Sequence, residues 1–432
     1  MRHVCLLVVW LTLALPVHAA TYYVDDTGGD NGRSCATASV ITTPKATVVN
    51  GITCLSAGDT LFVRAGTYDE GISTSASGTS WTNKVRIAAY PGSAPYEAVW
   101  LTPLSVGTSA GGIGAVIWLD GAFSYIEFDG INVDAETGDM QSIPIWVSTN
   151  NSNDPHHIRY QNAELIANTG VGGTAIQLGA HTLIGATGAN EIINVTIHGG
   201  GAPGLCGFAC ASYGVYLAGP GNLVENCDIY DTSGTFIQLY NAAGDPPDNN
   251  IVRNNYMHDL TRAGHLDQVY GVINSGGDNN QIYNNVITGI NVGNVNANNV
   301  ALVTSGDSNK IWNNTIYNNT NTGVTVDAAA TNTVLTNNII YLSTGTNLIN
   351  SGTGTTQTTN LVGTDPLFVN AAGGNYKIQS GSPARDAGTT VATVTTDIDD
   401  IPRPQGVAYD IGAYEFFGGV TPGPSRIRVV SR

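Results

Sequence analysis

The chain has 432 residues and a formal net charge of −17, and only 11% of its residues are Asp, Glu, Lys or Arg, against about 25% in an average soluble domain. That balance excludes nucleic acid and an anionic membrane surface as partners. It also weighs against a polyanionic glycan, unless a local basic patch or a bound cation reverses the field.

Read in chain order, the first segment is "MRHVCLLVVWLTLALPVHAA". A basic Arg2, an apolar run and small residues at Ala19 and Ala20 predict a cleaved export signal over residues 1–20. The run is too short to span a bilayer, and no later segment reaches the ~20 apolar residues a span needs. The mature protein is therefore expected outside the cytoplasm: extracellular, periplasmic or at the cell surface. Export permits disulfides. Cys35–Cys54 and Cys206–Cys210 are the expected pairs among the possible connectivities, which leaves Cys227 as a buried thiol. Residues 21–125 read as an N-terminal cap and first coils. "PKATVVNGITCL" (Pro44 to Leu55) predicts a short amphipathic helix over the open end, and "SAGDTLFVRAGTYDE" enters the first coil.

From 126 to 360 the chain repeats itself. "GINV", "NAEL", "NVTI" and "NCDI" begin at Gly130, Asn162, Asn194 and Asn226, 32 residues apart each time. "NNYM", "NNVI", "NNTI" and "NNII" follow at Asn254, Asn284, Asn313 and Asn337. Each repeat carries a second short apolar strand, such as "YGVYL" at Tyr213, "TFIQL" at Thr235 and "YGVIN" at Tyr270. Turn residues fill the intervals, and none of them looks like a helix. The reading is an all-β, parallel β-helix in which equivalent positions stack ~4.8 Å apart. The Asn column from Asn162 to Asn337 is a candidate hydrogen-bond ladder, since Asn tolerates left-handed backbone angles; independent turn residues are the alternative. Residues 361–417 break the period and close the C-terminal coils, and 418–432 read as a linker and basic tail.

Three stretches resemble secreted bacterial right-handed parallel β-helix proteins of the pectate-lyase-like superfamily. "TYYVDDTGGDNG…AGDTLFVRAGTY" is similar to that family's entry module, the "NNTI…TGVTV" coils to its repeats, and "DPLFVNAAGGNYKIQSGSPARDAG…DIGAYEF" to its closing segment. The resemblance implies a right-handed solenoid, an N-terminal cap and an extracellular polysaccharide as partner. It leaves open polysaccharide lysis, glycoside hydrolysis, epimerisation and no activity. "DPHH" (Asp154 to His157) resembles part of an alginate-epimerase motif without its Tyr-Gly-Phe, and reads better as a linker entering a strand.

Taking Leu165, Ile197, Ile229, Met257, Ile287, Ile316 and Ile340 as inward, the next residues form an outward column: His198, Tyr230, His258, Thr288, Tyr317 and Tyr341. Such a column can line a glycan groove, or it can reflect β propensity alone. Asp231 and Asp259 share a register one rung apart, a spacing that fits a Ca²⁺ ion, a shared proton, or two turn-capping carboxylates. The linker "DLTRAGHLDQVYG" is about five residues longer than its counterpart one coil earlier, and the extra residues include Arg262, His265 and Asp267. Insertions on a solenoid gather on the binding face. For β-elimination, Arg262 or His265 is the candidate base and Tyr270 the acid, with His258 beside them. Arg253 or the Asp231/Asp259 cation is the carboxylate clamp. Tyr213, Tyr216, Tyr230 and Gln238 are candidate sugar contacts. For hydrolysis, Asp267 pairs with Asp231 or Asp259. The expected function is a secreted polysaccharide lyase, with a glycoside hydrolase and a non-catalytic glycan-binding or adhesive rod as alternatives. A capped rod is expected to be a monomer.

Overall fold

A computed structural model gives the architecture. It describes residues 19–418 except 74–75, 93–94, 103–114, 137–142, 149–154, 169–172, 180–187, 201–212, 233, 241–245, 261–268 and 291–298. The export signal, Cys206 and Cys210, the inserted residues Arg262, His265 and Asp267, and the basic tail lie outside the described residues.

The repeat is a three-strand coil, one strand more than the sequence reading expects. A representative coil holds Leu223–Glu225, Asp228–Tyr230 and Thr235–Tyr240. The next holds Ile251–Arg253, Tyr256–His258 and Tyr270–Ser275. First and second strands build a 21-stranded sheet that bends around one corner, and third strands build a 9-stranded sheet. Pairing between coils is parallel throughout, as in Ile229↔Met257↔Ile287↔Ile316↔Ile340. The first strand escapes pattern reading because it is three residues long and turns one side chain inward, such as Val252, Ile282 or Ile311. Alternation needs more residues than that to show.

The inward column from Leu165 to Ile340 is fully buried, each side chain contributing about 1.5–3 kcal/mol of burial. The cap is as expected in place and shorter in extent. The helix is Val48–Ile52, with Thr47 accepting from the backbone N of Asn50. The backbone N–H groups of Val48 and Val49 donate to the Glu70 carboxylate at 2.7 and 3.0 Å, which satisfies the helix start. Cys35 and Cys54 form a disulfide, and Cys227 is buried, its Sγ 3.3 Å from Glu225 O and 3.7 Å from Ile192 O.

The corners explain the Asn residues and correct the ladder. Asn162, Asn194, Asn226, Asn254, Asn284, Asn313 and Asn337 all take left-handed φ, between 51° and 58°, where Asn is tolerated better than most residues. Within that column Asn194 Nδ2 donates to Asn162 Oδ1 at 2.7 Å and Asn337 Nδ2 to Asn313 Oδ1 at 3.4 Å. The continuous ladder runs one residue later. Asn255 Nδ2 donates to Asn285 Oδ1, Asn285 to Asn314, Asn314 to Asn338 and Asn338 to Asn360, all at 2.9–3.0 Å. A second ladder, Asn190–Asn222–Asn250–Asn280–Asn309, serves the other corner of the same sheet, each backbone N–H bonding the next Asn Oδ1. The left-handed residue turns the chain, and the extended residue after it points inward, where its amide replaces the water a buried bend would otherwise need.

The closing segment packs against the outside of the last coils. Tyr376, Ile398 and Ala413 cover Val286, and Ile378, Ala384 and Ile411 cover Ile339. The left-handed Asn column docks it: Asn284 Nδ2 donates to Thr396 O, and Asn337 Nδ2 to Thr389 O.

Candidate functional site

The second strands place His198, Tyr230 and His258 in one outward column, as their register requires. Their rings lie face to face along the solenoid axis. His198 and Tyr230 stack at 5.0 Å with planes 5° apart, and Tyr230 and His258 at 5.2 Å and 22°. This corrects the expectation that the column offers ring faces to sugars, because each face is already covered by the next ring. It also ends early. Thr288 is buried, with Tyr376 Oη 3.4 Å from its hydroxyl, and Tyr317 packs edge-on against Phe368. From Thr288 onward the closing segment lies on the column.

Carboxylates hold the two imidazoles. His198 Nε2 sits 2.9 Å from Glu164 Oε1. His258 Nε2 is 3.0 Å from Asp228 Oδ1, and its Nδ1 is 2.8 Å from Asp259 Oδ2. Burial pulls the His258 pKa down, but the hydrogen bonds and charges of Asp228 and Asp259 outweigh it and hold the ring above the ordinary histidine value. Asp231 and Asp259 occupy left-handed corners of adjacent coils, φ 50° and 52°, and Asp231 N donates to Asp259 O. Among the described residues no group of three or more His, Cys, Asp or Glu side chains is placed to hold a metal ion.

The third strands carry a different surface. Alternation with core residues turns Trp118, Trp146, Gln177, Tyr216 and Gln238 outward in one register column. Tyr213 and Tyr270 share a second column two rungs apart, through Thr235. Tyr216 is buried at the base of a cluster in which Tyr213 and Tyr240 lean on it at 5.2 and 5.8 Å. Burial pushes the Tyr213 phenol up to about 12, with the nearby Tyr240 adding to it. Burial also raises Tyr270, helped by the charge of Asp327. The Nε1 atoms of Trp118 and Trp146 are buried, with no hydrogen-bond partner among the described residues.

The predicted residues therefore fall on three faces. Tyr213, Tyr216, Gln238 and Tyr270 share the third. Tyr230, His258, Asp231 and Asp259 belong to the second strands and the corners that end them. Arg253 sits on the first, where Glu225 at 2.9 Å and Tyr283 at 2.9 Å occupy its guanidinium. That pairing removes Arg253 as a carboxylate clamp beside Tyr270: its side chain leaves a different strand and is already neutralised. Sequence reasoning missed Trp118 and Trp146, which extend the third-strand column: Trp118 lies in the cap and first coils, and Trp146 in a coil that precedes the second apolar strands picked out by the repeat. "VIWLD" and "IPIWV" show the apolar alternation that could have found them. It also missed Glu164 and Asp228, whose role depends on which imidazole the register brings beside them. His156 begins the strand His156–Ala167, as the linker-and-strand reading of "DPHH" expects; Asp154 lies outside the described residues.

A family model described as the right-handed beta helix region matches residues 181–362. Among curated protein sequences, none matches the chain. Among solved structures, the pectate lyase Pel9A is similar over 92% of this chain and 97% of that one, with 16% identity and a TM-score of 0.56. Geobacillus virus E2 ORF18 is similar over 79% of this chain and 60% of its own, with 15% identity and a TM-score of 0.50. A lacto-N-biosidase from Eubacterium ramulus aligns over 80% and 67%, with 11% identity and a TM-score of 0.45. The family model and the Pel9A likeness show the β-helix fold.

Proposed function

We propose that this chain, a right-handed β-helix protein of the pectate-lyase-like superfamily, is an exported protein that binds a polysaccharide along the third strands of its central coils and cleaves it by β-elimination. One observation carries the reading: a register row that faces away from the core, in which Trp118 and Trp146 are half-buried and Gln177, Tyr216 and Gln238 buried, with the half-buried Tyr213 and Tyr270 beside it. Aromatic and amide side chains at ~4.8 Å steps suit the apolar faces and hydroxyls of a sugar chain. The segment 261–268, with Arg262, His265 and Asp267, leads directly into the Tyr270 strand. The Cys206–Cys210 segment leads into the Tyr213 strand in the same way. Chain-long similarity to a pectate lyase supports the choice of reaction, and a disulfide in the cap supports export.

In this reading Arg262 or His265 removes the proton next to the uronate carboxylate, and Tyr270 returns a proton to the leaving oxygen. Arg262, or a Ca²⁺ ion that the corner carboxylates Asp231 and Asp259 would hold, would neutralise the carboxylate. Hydrolysis is the second reading. It is favoured by the absence of Arg and Lys from the described third-strand rows, since a neutral glycan needs no cationic clamp; Asp267 then pairs with Asp231 or Asp259.

Incubation with a panel of acidic and neutral polysaccharides, with and without Ca²⁺, tests this. Ultraviolet absorbance from an unsaturated uronate is the expected result, with His265→Ala and Tyr270→Phe slowing turnover by about 10²-fold or more. Reducing ends without that absorbance would transfer the site to hydrolysis. Retention of glycan with no product of either kind would make the protein a binding module and end the lyase reading.

A further inference from the structure

The two ends of the solenoid are finished differently. At the N-terminal end the helix Val48–Ile52 lies on the core, with Val48 and Ile52 buried in it. At the other end the last coil consists of Leu348–Asn350, Thr356–Thr358 and Leu361–Val362. Among the described residues each of these strands pairs only with the coil before it. The inward columns run out into solvent there. Val326, Leu335 and Ile340 are fully buried, whereas their register partners Asn350, Gln357 and Val362 are exposed.

Backbone groups face outward as well. Val324 N donates to Asn347 O, and Ser351 N donates to Val326 O. By the alternation of a parallel ladder, the N–H and C=O of Leu348 and Asn350 point away from the preceding coil. An open edge of this kind is a template for one more strand, and charges or Pro usually protect it. Here they are missing: residues 341–364 contain no Asp, Glu, Lys, Arg, His or Pro, and Ile349 is 39% exposed.

The chain carries a segment that fits this edge. Phe416 packs against the same apolar cluster as Leu361 of the last coil. The chain therefore reaches Gly418 on the second-strand side, from which earlier coils cross to their third strands. Residues 419–432 read "GVTPGPSRIRVVSR". In "RIRVV", Ile427 and Val429 alternate with Arg426 and Arg428, the pattern of a strand with one apolar face. The stretch from Gly418 to Ile427 can extend about 30 Å, more than the ~20 Å length of a six-residue strand.

We propose that residues 426–430 add a parallel strand to Leu348–Asn350 and close this end of the solenoid. Ile427 and Val429 then cover Leu348 and Asn350, and Arg428 faces solvent beside Ile349. This contact stands apart from the glycan-binding reading, since it uses the end of the rod and not its side.

Hydrogen exchange of the Leu348 and Asn350 amides, measured on the full chain and on its variants, tests the assignment. Both amides are expected to be protected in the full chain. Truncation after Gly418 and the substitution Ile427→Asp, both outside the coils, should each speed their exchange about tenfold or more. A synthetic peptide of residues 425–431 should restore protection to the truncated protein at about 1–10 mM, near the effective concentration that a short tether provides. The proposal is overturned by amides that exchange as fast in the full chain as in the truncated one. Protection that survives truncation or Ile427→Asp overturns it equally, and protection that then grows with protein concentration would place a second copy of the chain on this edge.

Discussion

Asn285 illustrates how much one side chain does in a stacked coil. Its Oδ1 accepts from both the backbone N and the Nδ2 of Asn255, and its Nδ2 donates to Val252 O and Asn314 Oδ1. Replacing it with Ala strands several buried groups, each costing about 1–3 kcal/mol. Asn285→Ala should therefore destabilise the protein by about 3–5 kcal/mol in urea unfolding, unless water enters. Asn226, one position before the inward ladder and left-handed, has a different requirement, since its backbone angle matters more than its amide. Asn226→Gly should change stability by only a few tenths of a kcal/mol, and Asn226→Val should cost about 1–2 kcal/mol. The doublet "NN" was visible in the sequence as a column, but the division of labour inside it was not. Spacing cannot tell which of two adjacent amides turns the chain and which faces inward. The outward aromatic column was legible for the complementary reason: the period of two places Tyr230 and His258 on one side. Whether their faces were open depended on the stacking distance between coils.

At the scale of the element, the closing segment is the part that pattern reading located but could not dock. Its centre is Arg403, fully buried against Glu415, with further bonds to Asp410 O, Gly412 O and Asn284 Oδ1. Arg403→Met leaves Glu415 buried without its partner and should cost about 3–5 kcal/mol, read as loss of hydrogen-exchange protection over residues 376–416 ahead of the coils. Asp410 makes this element pH-sensitive. Burial is the main cause that pushes its carboxyl up to about 6, against the hydrogen bonds from Asp386 and Phe416. A raised carboxyl binds its proton more tightly in the folded state than in the unfolded one. Its contribution is thus fully present below about pH 4 and is lost as pH rises through about 6. A carboxyl ¹³C titration with a midpoint near 6 checks this; a midpoint near 4 would mean that the segment is looser than described. The first strands of the coils escaped the sequence for a simpler reason, since three residues hold too little alternation to recognise.

For the whole molecule, stability is close to a sum over neighbouring coils, so the ends decide how it frays. The Cys35–Cys54 bridge spans a separation of 19 residues in the cap and should contribute about 3 kcal/mol by loop closure. Replacing both cysteines with Ser should expose the cap to proteolysis while leaving the central coils protected. The 32-residue period was enough to determine a β-helix and its inward column, because a repeating coil writes the same local requirement into every turn. Which faces the candidate residues share was decided only in three dimensions. Two residues 17 apart, Arg253 and Tyr270, leave different strands of one coil, while Glu164 and His198, 34 apart, meet at 2.9 Å. Stacking converts sequence separation into rung number, and only the bend of the chain between strands assigns the face.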